Sequence, residues 1–165
     1  MSAKPSETGT RQFLSFLVGG VPCAVDLTYV REIVRYEPPT RVPRAAAAVR
    51  GVVNLRGTVV PVVDLAIGCG IAAAPVSALT CLLVVEMAIG GEAAVVGLLV
   101  DAVSEVLELS TDALEPVPAF GTPLPASCLL GLVPAQEAFA FLLDLERLVG
   151  DGVLLHAPAA TGGTA

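Results

Sequence analysis

Residues 50 to 65 read Arg50-Gly51-Val52-Val53-Asn54-Leu55-Arg56-Gly57-Thr58-Val59-Val60-Pro61-Val62-Val63-Asp64-Leu65. Two valine-rich segments, Val49 to Leu55 and Thr58 to Val63, flank the pair Arg56-Gly57. Short β-branched runs bounded by turn residues predict two strands joined by a tight turn. Asp64 ends the second strand, and its carboxylate can accept backbone N–H groups at the start of a short helix.

The same grammar extends in both directions. Phe13 to Val18 and Val21 to Val25 flank Gly19-Gly20, a two-residue hairpin signal. Asp26 then caps a short helix around Leu27 to Val30, running into Arg31 to Tyr36. Pro38, Pro39 and Pro43 impose a loop. After a linker at Ala72 to Ser77, Leu79 to Ala88 and Ala93 to Val100 flank Gly90-Gly91. The alternating segment Val103 to Leu109 comes next, with a capped turn at Ser110 to Leu114 and a loop from Pro116 to Ala126. Cys128 to Val133 and Ala138 to Leu143 are the last strands, and Asp144 caps a helix over Leu145 to Val149.

These marks recur in order. Gly19-Gly20 returns 71 residues later as Gly90-Gly91, and Val25-Asp26 returns 75 later as Val100-Asp101. Gly51 is matched by Gly131, and Asp64-Leu65 by Asp144-Leu145, both at an offset of 80. An ordered set of matches implies two related units of about five strands each. Five short strands can close around a small core where a lone hairpin cannot, so the expectation is two β-barrels side by side. The first is expected mainly over 11–66 and the second mainly over 79–149, with a disordered tail at 1–10 and a flexible tail at 150–165.

The chain has 165 residues, 9 Lys+Arg against 16 Asp+Glu, and a formal charge of −7. With 55% hydrophobic residues it can bury enough surface to fold. An acidic chain does not neutralise phosphates, so nucleic acid is not an expected partner. Mean hydropathy is high at +0.80. However, the uncharged stretch Leu65 to Val85 is broken by Gly68, Gly70, Pro75, Ser77 and Thr80, and Pro116 to Gln136 holds five prolines. Neither supplies about 20 apolar residues in one helical run. Met1 to Thr10 is polar and lacks a signal peptide's apolar segment. The expectation is a soluble cytoplasmic protein without membrane insertion.

No catalytic constellation is visible. The only lysine is Lys4, and no glycine-rich phosphate loop ends in it. Cys23, Cys69, Cys81 and Cys128 lack metal-ligand spacing, and the only histidine, His156, lies in the carboxyl-terminal tail. They read as small buried hydrophobes, with a cysteine-dependent enzyme as the alternative from another class. A low-pKa thiol would favour that alternative. Asp64, Asp101 and Asp144 follow apolar strands and are explained as terminators and caps. Arg56 stands apart, a cation at a turn between nearly uncharged strands. It is either a solvated turn residue or a guanidinium held near the seam between barrels for a carboxylate or carbonyl. Glu32 is its expected partner, positioning it rather than stabilising the fold.

Together the run Arg50 to Leu65, Val25-Asp26-Leu27 and Val30-Arg31-Glu32-Ile33 resemble the CheW family of bacterial chemotaxis coupling proteins. So do Gly97 to Leu107, Leu129-Leu130-Gly131-Leu132 and Leu142 to Leu148. The likeness covers 11–149, in order. It implies two pseudo-symmetric five-stranded SH3-like barrels with short helices, mainly β, and no catalytic activity or cofactor. It also implies a bridging role between chemoreceptors and the regulatory domain of the histidine kinase CheA, alongside other CheW-like domains in membrane-associated arrays. An amphipathic receptor tip helix would lie in the groove between barrels, and the apolar end of the first barrel would meet the kinase. A diverged scaffold in another chemosensory-type pathway is the alternative within the fold. The family's sensitive positions correspond to Val30, Glu32, Gly51 and Arg56 in the first barrel, and to Val103, Val106 and Gly131 in the second. Ala66, Gly68-Cys69-Gly70 and the alanine run Ala45 to Ala48 depart from the family pattern.

Overall fold

Glycine pairs and aspartates punctuate ten strands. The computed structural model describes residues 9–118, 121–136 and 138–150. β1 (Thr10–Val18) and β2 (Val21–Asp26) form the hairpin over Gly19-Gly20, and a helical turn at Leu27–Tyr29 leads into β3 (Val30–Arg35). β4 (Val49–Leu55) and β5 (Thr58–Asp64) are followed by a short α-helix, Leu65–Gly68. β6 (Cys81–Ile89), β7 (Glu92–Val100) and β8 (Ala102–Ser110) come next. After short helical turns at Thr111–Ala113 and Ala126–Cys128, β9 (Leu129–Ala135), β10 (Ala138–Leu143) and a last helical turn, Glu146–Gly150, follow among the described residues. Thr10 already belongs to β1 and Gly150 to the last turn; the rest of the two expected tails lies outside the described residues. No helix among those residues is long and apolar enough to cross a membrane.

Two five-stranded sheets result, ordered β8-β1-β2-β10-β9 and β3-β6-β7-β5-β4. Each is brought round on itself by one bridge, Glu115 to Leu132 in the β1 sheet and Thr40 to Val52 in the β6 sheet. The two-barrel expectation is met, but its division at 11–66 and 79–149 is not. Each hairpin, β1–β2 or β6–β7, sits among strands of the opposite half. The reason lies in the connections. Only Asp101 separates β7 from β8, and one residue cannot reverse a strand, so β8 runs on into the other sheet. The three-residue turn after β2 sends β3 across in the same way. Arg31 to Tyr36, expected to continue a helix, is mostly strand because its side chains alternate between half-buried and exposed against β6.

The exchange places the four hairpin strands where both faces are covered. Phe13, Ala24 and Leu142 fill the β1 barrel, while Val60, Leu82 and Leu99 fill the β6 barrel. The largest core lies between them and contains Leu14, Phe16, Val25, Leu83, Val85 and Leu98. Strands buried on both sides need continuous apolar runs. That requirement explains Cys81 to Val85 and Val96 to Val100, which are buried throughout.

Candidate functional site

Arg56 occupies the turn between β4 and β5 in the left-handed region, φ 52°, with Gly57 beside it at φ 88°. Asn54 Oδ1 accepts the Gly57 N–H at 2.7 Å, which stiffens the turn. From there the Arg56 guanidinium donates to Glu32 Oε2 on β3, forming the ion pair expected from the sequence. The carboxylate pushes the guanidinium pKa up, so Arg56 is a permanent cation. Its side chain is 73% exposed and Glu32's is 32% exposed. An ion pair this solvated adds little to stability; what it provides is a fixed direction for the remaining N–H donors. Val34, Val53, Leu55 and Leu82 line the adjacent cleft with Arg35 and Glu37. All come from the β6 barrel, so the surroundings of Arg56 belong to one barrel rather than to a seam between two.

The other sequence-selected residues separate by burial. Val30 packs on the core between barrels, as does Val103 on β8. Gly51 on β4 is buried with φ 144°, and a β-carbon there would collide with the Thr40 carbonyl oxygen. Gly131 on β9 has φ 155°, and its β-carbon would lie 2.7 Å from the Glu115 carbonyl oxygen. Both glycines therefore admit the closing strand of their barrel. Only Arg56 and Val106, the latter 51% exposed, present themselves substantially to a partner.

A second copy of the Arg56 turn escaped the sequence reading. Gln136 between β9 and β10 has φ 56°, and its Nε2 donates to Glu105 Oε2 on β8 at 3.3 Å. Glu105 stands 73 residues after Glu32, and Gln136 stands 80 after Arg56. Ser15, buried on β1, fixes this stretch of β8: its hydroxyl donates to the Glu105 carbonyl and accepts the Glu105 N–H. The signal was available in Val30-x-Glu32-Ile33 against Val103-x-Glu105-Val106. Ile33, Val59, Leu130 and Phe139 are further exposed apolar residues that strand patterning alone does not single out.

The aspartates behave as strand ends. Asp64 accepts the Ala66 and Ile67 N–H groups at 3.0 and 3.4 Å, Asp144 accepts from Arg147 at 3.1 Å, and Asp101 accepts from Gly20 at 2.9 Å. The four cysteines are buried and free. Burial pushes the Cys23 and Cys81 thiols up, and Cys69 up to about 12. That direction is opposite to the activation a nucleophilic thiol needs.

With this geometry in place, a family model for the CheW-like domain matches residues 12–152. The chain belongs to the CheW family. It is 32% identical over 150 residues to a probable chemotaxis protein CheW of Rhizobium etli, covering 91% of this chain and 94% of the relative. Identity to the chemotaxis protein CheW of Klebsiella aerogenes is 33% over 149 residues, 90% of this chain and 87% of that one. The crystal structure of a scaffolding CheW protein from Thermoanaerobacter tengcongensis superposes with a TM-score of 0.73 at 28% identity, covering 84% of this chain and 86% of that one. The mainly β, two-sheet architecture is therefore that of a CheW scaffold.

Proposed function

We propose that this chain is a non-catalytic coupling protein that bridges chemoreceptors to the regulatory domain of a CheA-type histidine kinase. Membership of a chemotaxis scaffold family supports the class of function. The observation that carries the receptor contact is the exposed guanidinium of Arg56, aimed by Glu32 from a rigid turn. A guanidinium so presented can donate to carboxylates or carbonyls of a receptor tip helix. Val106 and the half-buried Val30 and Val103 would contribute apolar contact or shape, and Gly51 and Gly131 would keep the barrels closed. The protein would act in the cytoplasm, at receptor arrays shared with other CheW-like domains.

The test is Arg56→Ala, with affinities for a receptor tip fragment and for CheA measured beside the urea unfolding midpoint. Receptor affinity should fall by about tenfold or more, CheA affinity should change less, and the midpoint should hold. Wild-type affinity for both partners would remove Arg56 from the interface, and a collapsed midpoint would make it structural.

A further inference from the structure

The charges of this acidic chain are unevenly spread. Six of its nine basic residues, Arg31, Arg35, Arg41, Arg44, Arg50 and Arg56, fall within residues 31–56 of the β6 barrel and its closing loop. Four described arginines pair with carboxylates: Arg11 with Asp26, Arg31 with Glu86, Arg50 with Asp64 and Arg56 with Glu32. Among the described residues, Arg35, Arg41 and Arg44 have no acidic partner. Arg41 and Arg44 line one cleft of about 720 Å³ together with Arg50, whose Nε is anchored on Asp64 Oδ2 at 3.2 Å.

That cleft has a fixed frame and small walls. Pro38, Pro39 and Pro43 restrict the loop, and Thr40 is tied to Val52 by two backbone hydrogen bonds of 2.8 Å. Ala45, Ala46 and Ala47 line it where bulkier side chains would narrow it. Past Tyr36 at its rim, Arg35 and Arg56 line the adjoining cleft, where Glu37 is the one acidic lining residue. Unpaired guanidiniums on a braced loop cost little ordering when an anion arrives, and several in a row match several negative charges on one chain.

We propose that the Arg41–Arg44–Arg50 cleft is a docking site for an acidic segment of a partner protein, distinct from the contact assigned to Arg56. An extended segment matches the open form of the cleft and the run of cations continuing along the barrel. Glutamate or aspartate side chains would receive the Arg41 and Arg44 guanidiniums in fork geometry, with Arg50 on the wall. The proposal stands apart from the receptor reading, since a failure of Arg56→Ala would leave it intact.

The experiment uses the full chain and a labelled octapeptide of alternating glutamate and glycine, with a glutamine counterpart, followed by fluorescence anisotropy. The glutamate peptide should bind saturably and the glutamine peptide should not. The Arg41→Ala/Arg44→Ala variant should weaken binding by about tenfold or more and flatten its salt dependence, with an unchanged unfolding midpoint. Arg31→Ala, a paired surface arginine of the same barrel, should stay within about twofold of wild type. Equal binding of the two peptides, or an unchanged affinity in the double variant, overturns the site. If Arg41 and Arg44 instead govern binding of pyrophosphate or phosphatidylserine vesicles in preference to the peptide, the ligand class is wrong. If they govern only self-association in sedimentation velocity, the occupant is a second copy, and the proposal also fails.

Discussion

Gly51 shows how the closure of a barrel can dictate the residue at one buried position. Its φ of 144° is costly for any other residue, and its missing side chain leaves room for the Thr40 carbonyl. Gly51→Ala should therefore lower stability by at least about 2 kcal/mol, read as a shift in the urea midpoint at constant slope. Gly97 is the control. It is buried too, but a β-carbon there meets its nearest neighbour at 3.6 Å without positive φ, so Gly97→Ala should stay within about 1 kcal/mol of wild type. A similar loss in both variants would mean that close approach at Thr40 is not what demands glycine. Loss of receptor coupling in a Gly51 variant would then follow from an open barrel rather than from a lost contact.

At the scale of elements, Asp26 ties β1, β2 and the turn before β3 together. Its Oδ1 accepts the Thr28 N–H at 2.9 Å and the Thr28 hydroxyl at 2.8 Å, and Arg11 of β1 pairs with Oδ2. Burial alone would raise this carboxyl, but the hydrogen bonds from Arg11 and Thr28 outweigh it and hold the pKa below the usual 3.8. A depressed folded pKa gives stability that is present above 3.8 and lost as pH falls through the lower, folded value. Wild type should thus lose more of its urea midpoint between neutral pH and acid below 3.8 than Asp26→Asn does. Parallel curves would show that the Arg11 contact carries no linked proton. Punctuation of this kind is what made most strands readable in the sequence. Glycine pairs and strand-end aspartates act locally, and nine of the ten strands lie where alternation and turns place them. The Arg56–Glu32 pair was equally accessible, because Arg56 is a lone cation at a turn between two nearly uncharged strands and Glu32 is an acidic residue in the preceding strand of the same unit. In the Gln136–Glu105 copy only the Glu105 half was legible, through Val103-x-Glu105-Val106, because Gln136 is a neutral amide and gives no charge signal where the first unit has Arg56.

Partner choice between strands is a property of the whole molecule, and there the sequence is degenerate. Two repeats of five strands can close separately or exchange hairpins with nearly identical local patterns. The short connections at Val100-Asp101-Ala102 and Leu27–Tyr29 are what discriminate. The exchange makes a strong prediction. Fragments cut in the Ala72 to Ser77 linker would each lack the hairpin that completes a barrel and would expose half of the shared core. Each should be unfolded alone by circular dichroism and regain the native spectrum when mixed with the other. Independent folding of either fragment would show that its own strands can close without exchange.

Because β3 to β7 are all complete by Val100 whereas β8 to β10 lie beyond it, the molecule has a direction in time as it leaves the ribosome. The β6 sheet has every strand while the β1–β2 hairpin still waits for neighbours that are not yet synthesised. β1 must keep its edge free until β8 emerges, with Arg11 facing Leu109 in the final register. During that interval Leu83, Val85 and Leu98 would lack the β8–β10 side of the core that covers them in the finished molecule. Vectorial synthesis would thus supply every strand of one barrel before the other can close beside it.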